Sequence, residues 1–215
     1  MIELPAQFEK AGYVVLPDMV LASDVRAVEL WRSETEINGA GTRTLLDAPW
    51  CVGLAARLRC EPRLHCLLPR GSLAVQCIYF EKSESSNWLV APHRDTIFPV
   101  KERVSAAEWG GWSTKDDVVY GRPPREVLRS MVAVRVHLEA STEANGPLRV
   151  APGSHREDGV RRELISQCVP ALGALVMRPL LIHASSKLKV GLRRVLHIVY
   201  GPAELPGRAL WRVVP

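Results

Sequence analysis

Two imidazoles and one carboxylate are the side chains in this 215-residue chain whose types and spacing point most directly to chemistry. The first pair lies in Pro92-His93-Arg94-Asp95-Thr96, within the run Trp88–Val100, which reads as a strand. With a side-chain period of two, His93 and Asp95 share a face and Arg94 points the other way. Alone, such a pair is more often a surface ion pair than two corners of a metal site. The third residue, His183, ends the apolar run LLIHAS, where an imidazole emerges from core-forming neighbours. Taken singly it reads as a core histidine with satisfied nitrogens. Together, two histidines and a carboxylate can hold one face of an octahedral metal and leave positions open, the arrangement of non-haem Fe(II) oxygenases.

The run RRVLHIVY adds a cation. Counting by twos puts Arg194, Leu196, Ile198 and Tyr200 on one face, and Arg193, Val195, His197 and Val199 on the other. An arginine among apolar neighbours needs an anion, and a guanidinium–carboxylate fork is the strongest pairing available. Arg194, eleven residues after His183, is the expected anchor for a carboxylate, with Ser185 on the strand face of His183 as a second donor. Arg193 is expected to make a surface salt bridge.

The elements that must position these groups fall into two textures. Before Gly71 the chain reads as mostly helical, after an opening strand ending at Leu16: Ser23 is placed to cap a helix, and Leu54, Leu58, Leu64 and Leu67 recur at a broadly helical period over Trp50–Leu68. From Ser72 onward short runs rich in Val, Ile, Leu and Tyr follow: Leu73–Glu81, Trp88–Val100, Ser130–Leu138, Leu148–Ala151, Ala174–Ala184 and Arg193–Tyr200. Turn formers such as Asn145-Gly146-Pro147 separate several of them, which argues for a sandwich or barrel. In MVAVRVHL, Ala133, Arg135 and His137 share one face; if that face lines the barrel, Arg135 and His137 reach the substrate. His155 in PGSH is expected to brace a turn. Lys101–Val127 reads as a long polar loop bearing Trp109 and Trp112, placed to act as a lid that keeps water from the site. Ordinary packing is the competing role for both tryptophans.

Composition narrows the partners. The formal charge of +5 comes from basic residues scattered along the chain, not gathered in a stripe, so a nucleic-acid footprint is not expected. Five cysteines, odd in number and without CxxC spacing, suggest neither a zinc knuckle nor a disulfide framework, and reduced thiols imply a cytoplasmic location. The longest apolar stretch, Leu172–Ala184, is interrupted by Arg178 and Pro179, so no membrane span is expected. A single domain with a small-molecule partner is the resulting expectation.

From about Val75 to Trp211 the chain resembles the phytanoyl-CoA dioxygenase-like family of Fe(II)/2-oxoglutarate oxygenases. The resemblance is carried by NWLVAPHRD (Asn87–Asp95), NGPLRVAPGSH (Asn145–His155), and MRPLLIHASS with RRVLHIVY (Met177–Tyr200); GYVVLP (Gly12–Pro17) is similar to the family's opening strand. It implies a mainly β fold, a double-stranded β-helix or cupin-like jelly roll, with N-terminal helices packed outside. It implies Fe(II) on His93, Asp95 and His183, 2-oxoglutarate held by Arg194 and Ser185, and O₂ as the oxidant. Arg94 departs from the glutamine of many relatives and should face away from the metal. Asp95 stands where related halogenases carry a small residue that makes room for chloride, so hydroxylation or another oxidation is implied. A jelly-roll metalloenzyme that does not use 2-oxoglutarate, and an inactive binding module on the same scaffold, are the competing classes.

Overall fold

A computed structural model describes residues 3–37, 42–156 and 163–213. Pro5 sits in the first turn of helix α1 (Leu4–Ala11), where a missing N–H costs nothing. Gly12, at φ +81°, ends that helix and donates its N–H to the Phe8 carbonyl at 2.7 Å. The opening strand, β1 (Tyr13–Leu16), follows at once, so Phe8, the first residue of the stretch that leads into the expected strand, is instead a buried helical residue. Helix α2 (Ala22–Ser33) starts one residue before the expected cap: Asp24, not Ser23, accepts the N–H of Leu21 at 2.7 Å. The second helical zone is α3 (Pro49–Cys60) followed by α4 (Pro62–His65).

The remainder is mainly strand. In chain order come β2 (Leu73–Lys82), β3 (Val90–His93), β4 (Phe98–Val100), β5 (Gly110–Lys115) and β6 (Val118–Arg122). After helix α5 (Arg125–Ser130) come β7 (Val132–His137), β8 (Leu148–Val150), β9 (Ile165–Gln167), β10 (Ala174–Met177), β11 (His183–Ser185) and β12 (Arg193–Gly201). One antiparallel sheet has the order β1-β10-β7-β12-β2, and a second has the order β3-β11-β8-β9. The apolar run Ala174–Ala184 supplies a strand to each. It breaks at Arg178-Pro179, where Pro179 has no N–H to give a ladder and Arg178 reaches Glu9 on α1 at 2.8 Å.

Burial divides into two cores. Leu196, Ile198 and Tyr200 of β12, with Val132, Val134 and Val136 of β7, pack outward against Val28, Leu54 and Leu58 of the helices. Leu175 and Met177 of β10 and Val199 of β12 pack inward with Leu148 and Val150 of the second sheet. The jelly roll with helices outside is thus present, and the first sheet is buried on both faces.

Lys101–Val127 is not the irregular loop its polarity suggests. It contains β5, β6 and the start of α5, and β4-β6-β5 form a third sheet. Asp116 and Asp117, at φ 50° and 59°, make a two-residue turn between Lys115 and Val118, a backbone shape usually signalled by Asn-Gly or Asp-Gly. Trp112 lies on Gly121, where a Cβ would come within 2.5 Å of its ring. It stacks on Trp109 at 5.9 Å, and the Trp109 indole N–H donates to the Pro206 carbonyl at 3.1 Å. The tryptophans fasten this sheet to the C-terminal segment. No helix among the described residues is long and apolar enough to cross a membrane.

Candidate metal centre and anion pocket

His93 ends β3 and His183 opens β11, and the two are register partners across that antiparallel pair. Their rings lie 4.2 Å apart between centroids. Asp95 falls just beyond β3, held by its own N–H to the Pro179 carbonyl at 2.9 Å. Its carboxylate reaches Nε2 of His93 at 3.5 Å and Nε2 of His183 at 3.6 Å. One ligand atom from each of the three lies within 4.8 Å of the others, the spacing of a metal-binding group.

The backbone sets which ring nitrogen faces inward. Nδ1 of His93 is 2.9 Å from the Ala91 carbonyl, and Nδ1 of His183 is 2.9 Å from the Leu181 carbonyl. Nδ1–H donation to these carbonyls turns the Nε2 side of each ring toward Asp95, the side from which a shared cation would be ligated. Burial, opposed by Asp95, pushes His183 down to about 4, so it stays neutral and able to ligate. Burial alone would raise Asp95, but hydrogen bonds from His197 and His93 and the nearby His183 hold it well below the usual carboxylate range. This donor set fits a non-haem Fe(II) ion.

His197 of β12 was not singled out in the sequence. It is buried, places Nε2 at 3.5 Å from Asp95 Oδ2, and has Nδ1 3.2 Å from a guanidinium nitrogen of Arg135. Arg94 points away from the cluster, as expected; it donates to the Leu180 carbonyl at 2.8 Å and the Ser154 carbonyl at 2.7 Å. It thereby ties the PGSH turn to the approach of β11. His155 of that turn is buried against Gly12, whose missing side chain leaves room for the ring.

A cavity of about 240 Å³ opens beside the three candidate ligands. The arginine that enters it is Arg193, and this corrects the expectation for Arg194. Arg194 faces out of the barrel, where its Nε donates to Glu139 at 2.6 Å and a terminal nitrogen reaches Glu29 at 3.3 Å. Arg193 is not at the surface. It is buried, lines the cavity, and has Nε and Nη1 with no hydrogen-bond partner among the described residues. Lys82, its register partner on β2, is also buried; its ammonium donates to Ser185 Oγ at 2.9 Å and to the Ser186 carbonyl at 2.8 Å. Burial, with Arg193 and Arg135 nearby, brings Lys82 down to about 7, and burial brings Arg193 to about 10. Buried cationic nitrogens without partners are costly, so this end of the cavity is built to receive an anion, and a carboxylate of 2-oxoglutarate fits it.

The other expected residues divide. Ser185 and Arg135 line the cavity. His137 shares the inward face of β7 but does not line the cavity; burial and the charges of Arg135 and Arg193 push it down to about 3. Trp109 and Trp112 do not line it either, because both are committed to the third sheet.

None of the curated proteins compared with the chain matches it in sequence. Solved structures match in fold. HygX from Streptomyces hygroscopicus, crystallised with nickel and 2-oxoglutarate, superposes with a TM-score of 0.57 at 17% identity over 91% of this chain and 84% of its own. SnoK, a non-haem α-ketoglutarate-dependent carbocyclase from nogalamycin biosynthesis, gives 0.61 at 15% identity over 99% of this chain and 86% of its own. The non-haem monooxygenase ThoJ gives 0.65 at 18% identity over 98% and 80%. EvdMO1 is longer, and the chain spans 49% of it. The family model for phytanoyl-CoA dioxygenase matches residues 8–189, from α1 to just beyond β11. That span takes in the His–Asp–His cluster and the strands that carry it, and the chain belongs to the phytanoyl-CoA dioxygenase family of iron- and 2-oxoglutarate-dependent oxygenases.

Proposed function

We propose that this oxygenase hydroxylates a C–H bond of a small metabolite, with His93, Asp95 and His183 holding Fe(II) and the Arg193–Lys82–Ser185 cluster holding the distal carboxylate of 2-oxoglutarate. The observation that carries this reading is the pairing, in one cavity, of a candidate three-ligand cluster with a buried guanidinium whose Nε and Nη1 have no partner among the described residues. When bound, the metal with its cosubstrates supplies the oxidation: 2-oxoglutarate and O₂ become succinate and CO₂ while one oxygen atom enters the substrate C–H bond.

The chain's own residues supply position and exclusion. Nδ1–H bonds to the Ala91 and Leu181 carbonyls fix both ligand rings before the metal arrives, which lowers the reorganisation cost of binding. His197 restrains Asp95 through Oδ2. Lys82 holds the Ser185 hydroxyl beside Arg193, so an incoming carboxylate meets a preset group of donors. Ile78, Phe80, Val90 and Leu148 give the cavity an apolar wall against which a substrate is held close to the metal.

Succinate release under O₂ tests the reading. With iron and 2-oxoglutarate present, wild type should form succinate, and Asp95→Ala should lose at least about a hundredfold of the rate, the scale of removing a charged group from preorganised catalysis. Full activity in Asp95→Ala, or metal binding with no 2-oxoglutarate consumption by wild type, would contradict it.

A further inference from the structure

Lys82 and Arg193 sit together at the Ser185 end of the cavity; the third cation, Arg135, does not. In the sheet Arg193 pairs with Lys82, whereas Arg135 pairs with His197. Four residues along β12 separate the two backbone positions, about 13 Å at the rise of a strand, and the Arg135 guanidinium acts on Lys82 and Arg193 through its charge, with no hydrogen bond to either among the described residues. The Arg135 guanidinium stands at the metal end, next to the imidazole that touches Asp95. It is buried and lies 5.6 Å from the centre of the Phe80 ring. Its hydrogen bond goes to a neutral ring nitrogen, its Nε has no partner, and it forms no ion pair among the described residues. Asp95 is the nearby carboxylate, and that group is committed to the metal cluster.

The charge balance sharpens the point. Among the described residues, three cations (Lys82, Arg135 and Arg193) and one carboxylate (Asp95) line the cavity. A divalent metal and a dianionic cosubstrate cancel one another, so the occupied site stays net positive at the end where the cosubstrate's distal carboxylate does not reach. A buried guanidinium without a counter-ion is unfavourable unless a ligand brings one. Phe80 lies against it, and Ile78 and Ile97 add apolar surface to the cavity it lines.

We propose that Arg135 is the substrate-recognition residue, and that the substrate is a small organic acid whose carboxylate pairs with Arg135 while its apolar body lies against Phe80 and Ile97. The assignment rests on the oxygenase reading for which end the cosubstrate occupies. The test uses matched acids and primary amides, phenylacetate with phenylacetamide and hexanoate with hexanamide. They are added to the anaerobic protein loaded with Fe(II) and 2-oxoglutarate, and the readouts are the visible metal-to-ligand band and the melting temperature. Acids should perturb both, and amides should bind roughly 10- to 100-fold more weakly, the factor for losing a charge-assisted pair. Arg135→Gln should erase the preference while leaving 2-oxoglutarate affinity within about threefold, well inside one such pair. Arg135→Lys should retain the preference, which separates lost charge from lost packing.

Amides binding as well as acids, neither series binding wild type, or Arg135→Gln losing 2-oxoglutarate as severely as Arg193→Gln would overturn the assignment. Absence of the band in every protein contradicts the oxygenase reading instead. The acid-over-amide shift in the melting of the metal-free protein then still decides whether Arg135 is an anion site.

Discussion

Lys82 carries a charge that its surroundings disfavour. Its ordinary value of 10.5 is brought to about 7 by burial and by the Arg193 and Arg135 guanidiniums. Between those two pH values the unfolded chain holds a proton that the folded protein lacks, so stability rises with pH across that window. Below about pH 7 both states are protonated and the full cost of burying the ammonium is present. Binding of 2-oxoglutarate runs the opposite way, because its carboxylate favours the charged lysine: affinity should fall as pH climbs above 7. Lys82→Met should raise the melting temperature at pH 7 and flatten both dependences. Melting curves from pH 6 to 10, with calorimetric titration of 2-oxoglutarate into the nickel-loaded protein at pH 6.5 and 8.5, check this. An unchanged pH slope in Lys82→Met would remove Lys82 from the anion pocket. At this scale the sequence was informative about the His–Asp–His cluster, since His93 and Asp95 stand two apart and His183 interrupts an apolar run. It was silent on Lys82, which looks like any lysine at a strand end until β12 is laid beside it.

The arginine assignment belongs to the scale of the strand. Alternation along β12 separates Arg193 from Arg194 but does not say which face is inward, because that strand is buried on both sides. Leu196, Ile198 and Tyr200 made the Arg194 face look like the interior; they are in fact the floor beneath the helices. The one signal that ranked the faces correctly was polarity: His197 lies on the Arg193 face, and Arg135 pairs with it from β7. Arg194 has a different task, joining the sheet to Glu29 of α2 and to Glu139. Arg194→Ala should therefore cost about 1.5–3 kcal/mol of stability, the range for charged hydrogen bonds, with 2-oxoglutarate affinity unchanged. Denaturant midpoints and ligand titration on one preparation separate the two effects. The β5–β6 hairpin, hidden in a polar stretch with an Asp-Asp turn, makes its own prediction. Gly121→Ala should cost about 1–3 kcal/mol by overpacking against Trp112, and near-neutral stability would show that the ring moves aside freely.

Over the whole molecule, a doubly buried sheet divides the labour between two cores. The outer one, where Leu58 and Val28 meet Tyr200 and Leu196, holds the helices to the barrel; the inner one, with Leu148, Val150 and Val199, surrounds the chemistry. Leu58→Ala should cost about 2–5 kcal/mol, the range for emptying a fully buried leucine site, yet leave metal stoichiometry at low temperature unchanged. Loss of metal binding along with stability would show that the two cores are not separable. The jelly roll was legible because short apolar runs with turn signals dominate after Ser72; the point where Ala174–Ala184 splits was also written there, in Arg178-Pro179. What the apolar pattern alone did not contain was which face of β12 closes on the other sheet. The most direct measurement is anaerobic titration of 2-oxoglutarate into Fe(II)-loaded protein, following the visible charge-transfer band in wild type, Asp95→Ala, Arg193→Gln and Arg194→Ala. The account predicts a saturable band in wild type and Arg194→Ala, an affinity roughly 10- to 100-fold weaker in Arg193→Gln, and no band in Asp95→Ala. A band lost in Arg194→Ala and intact in Arg193→Gln would contradict it.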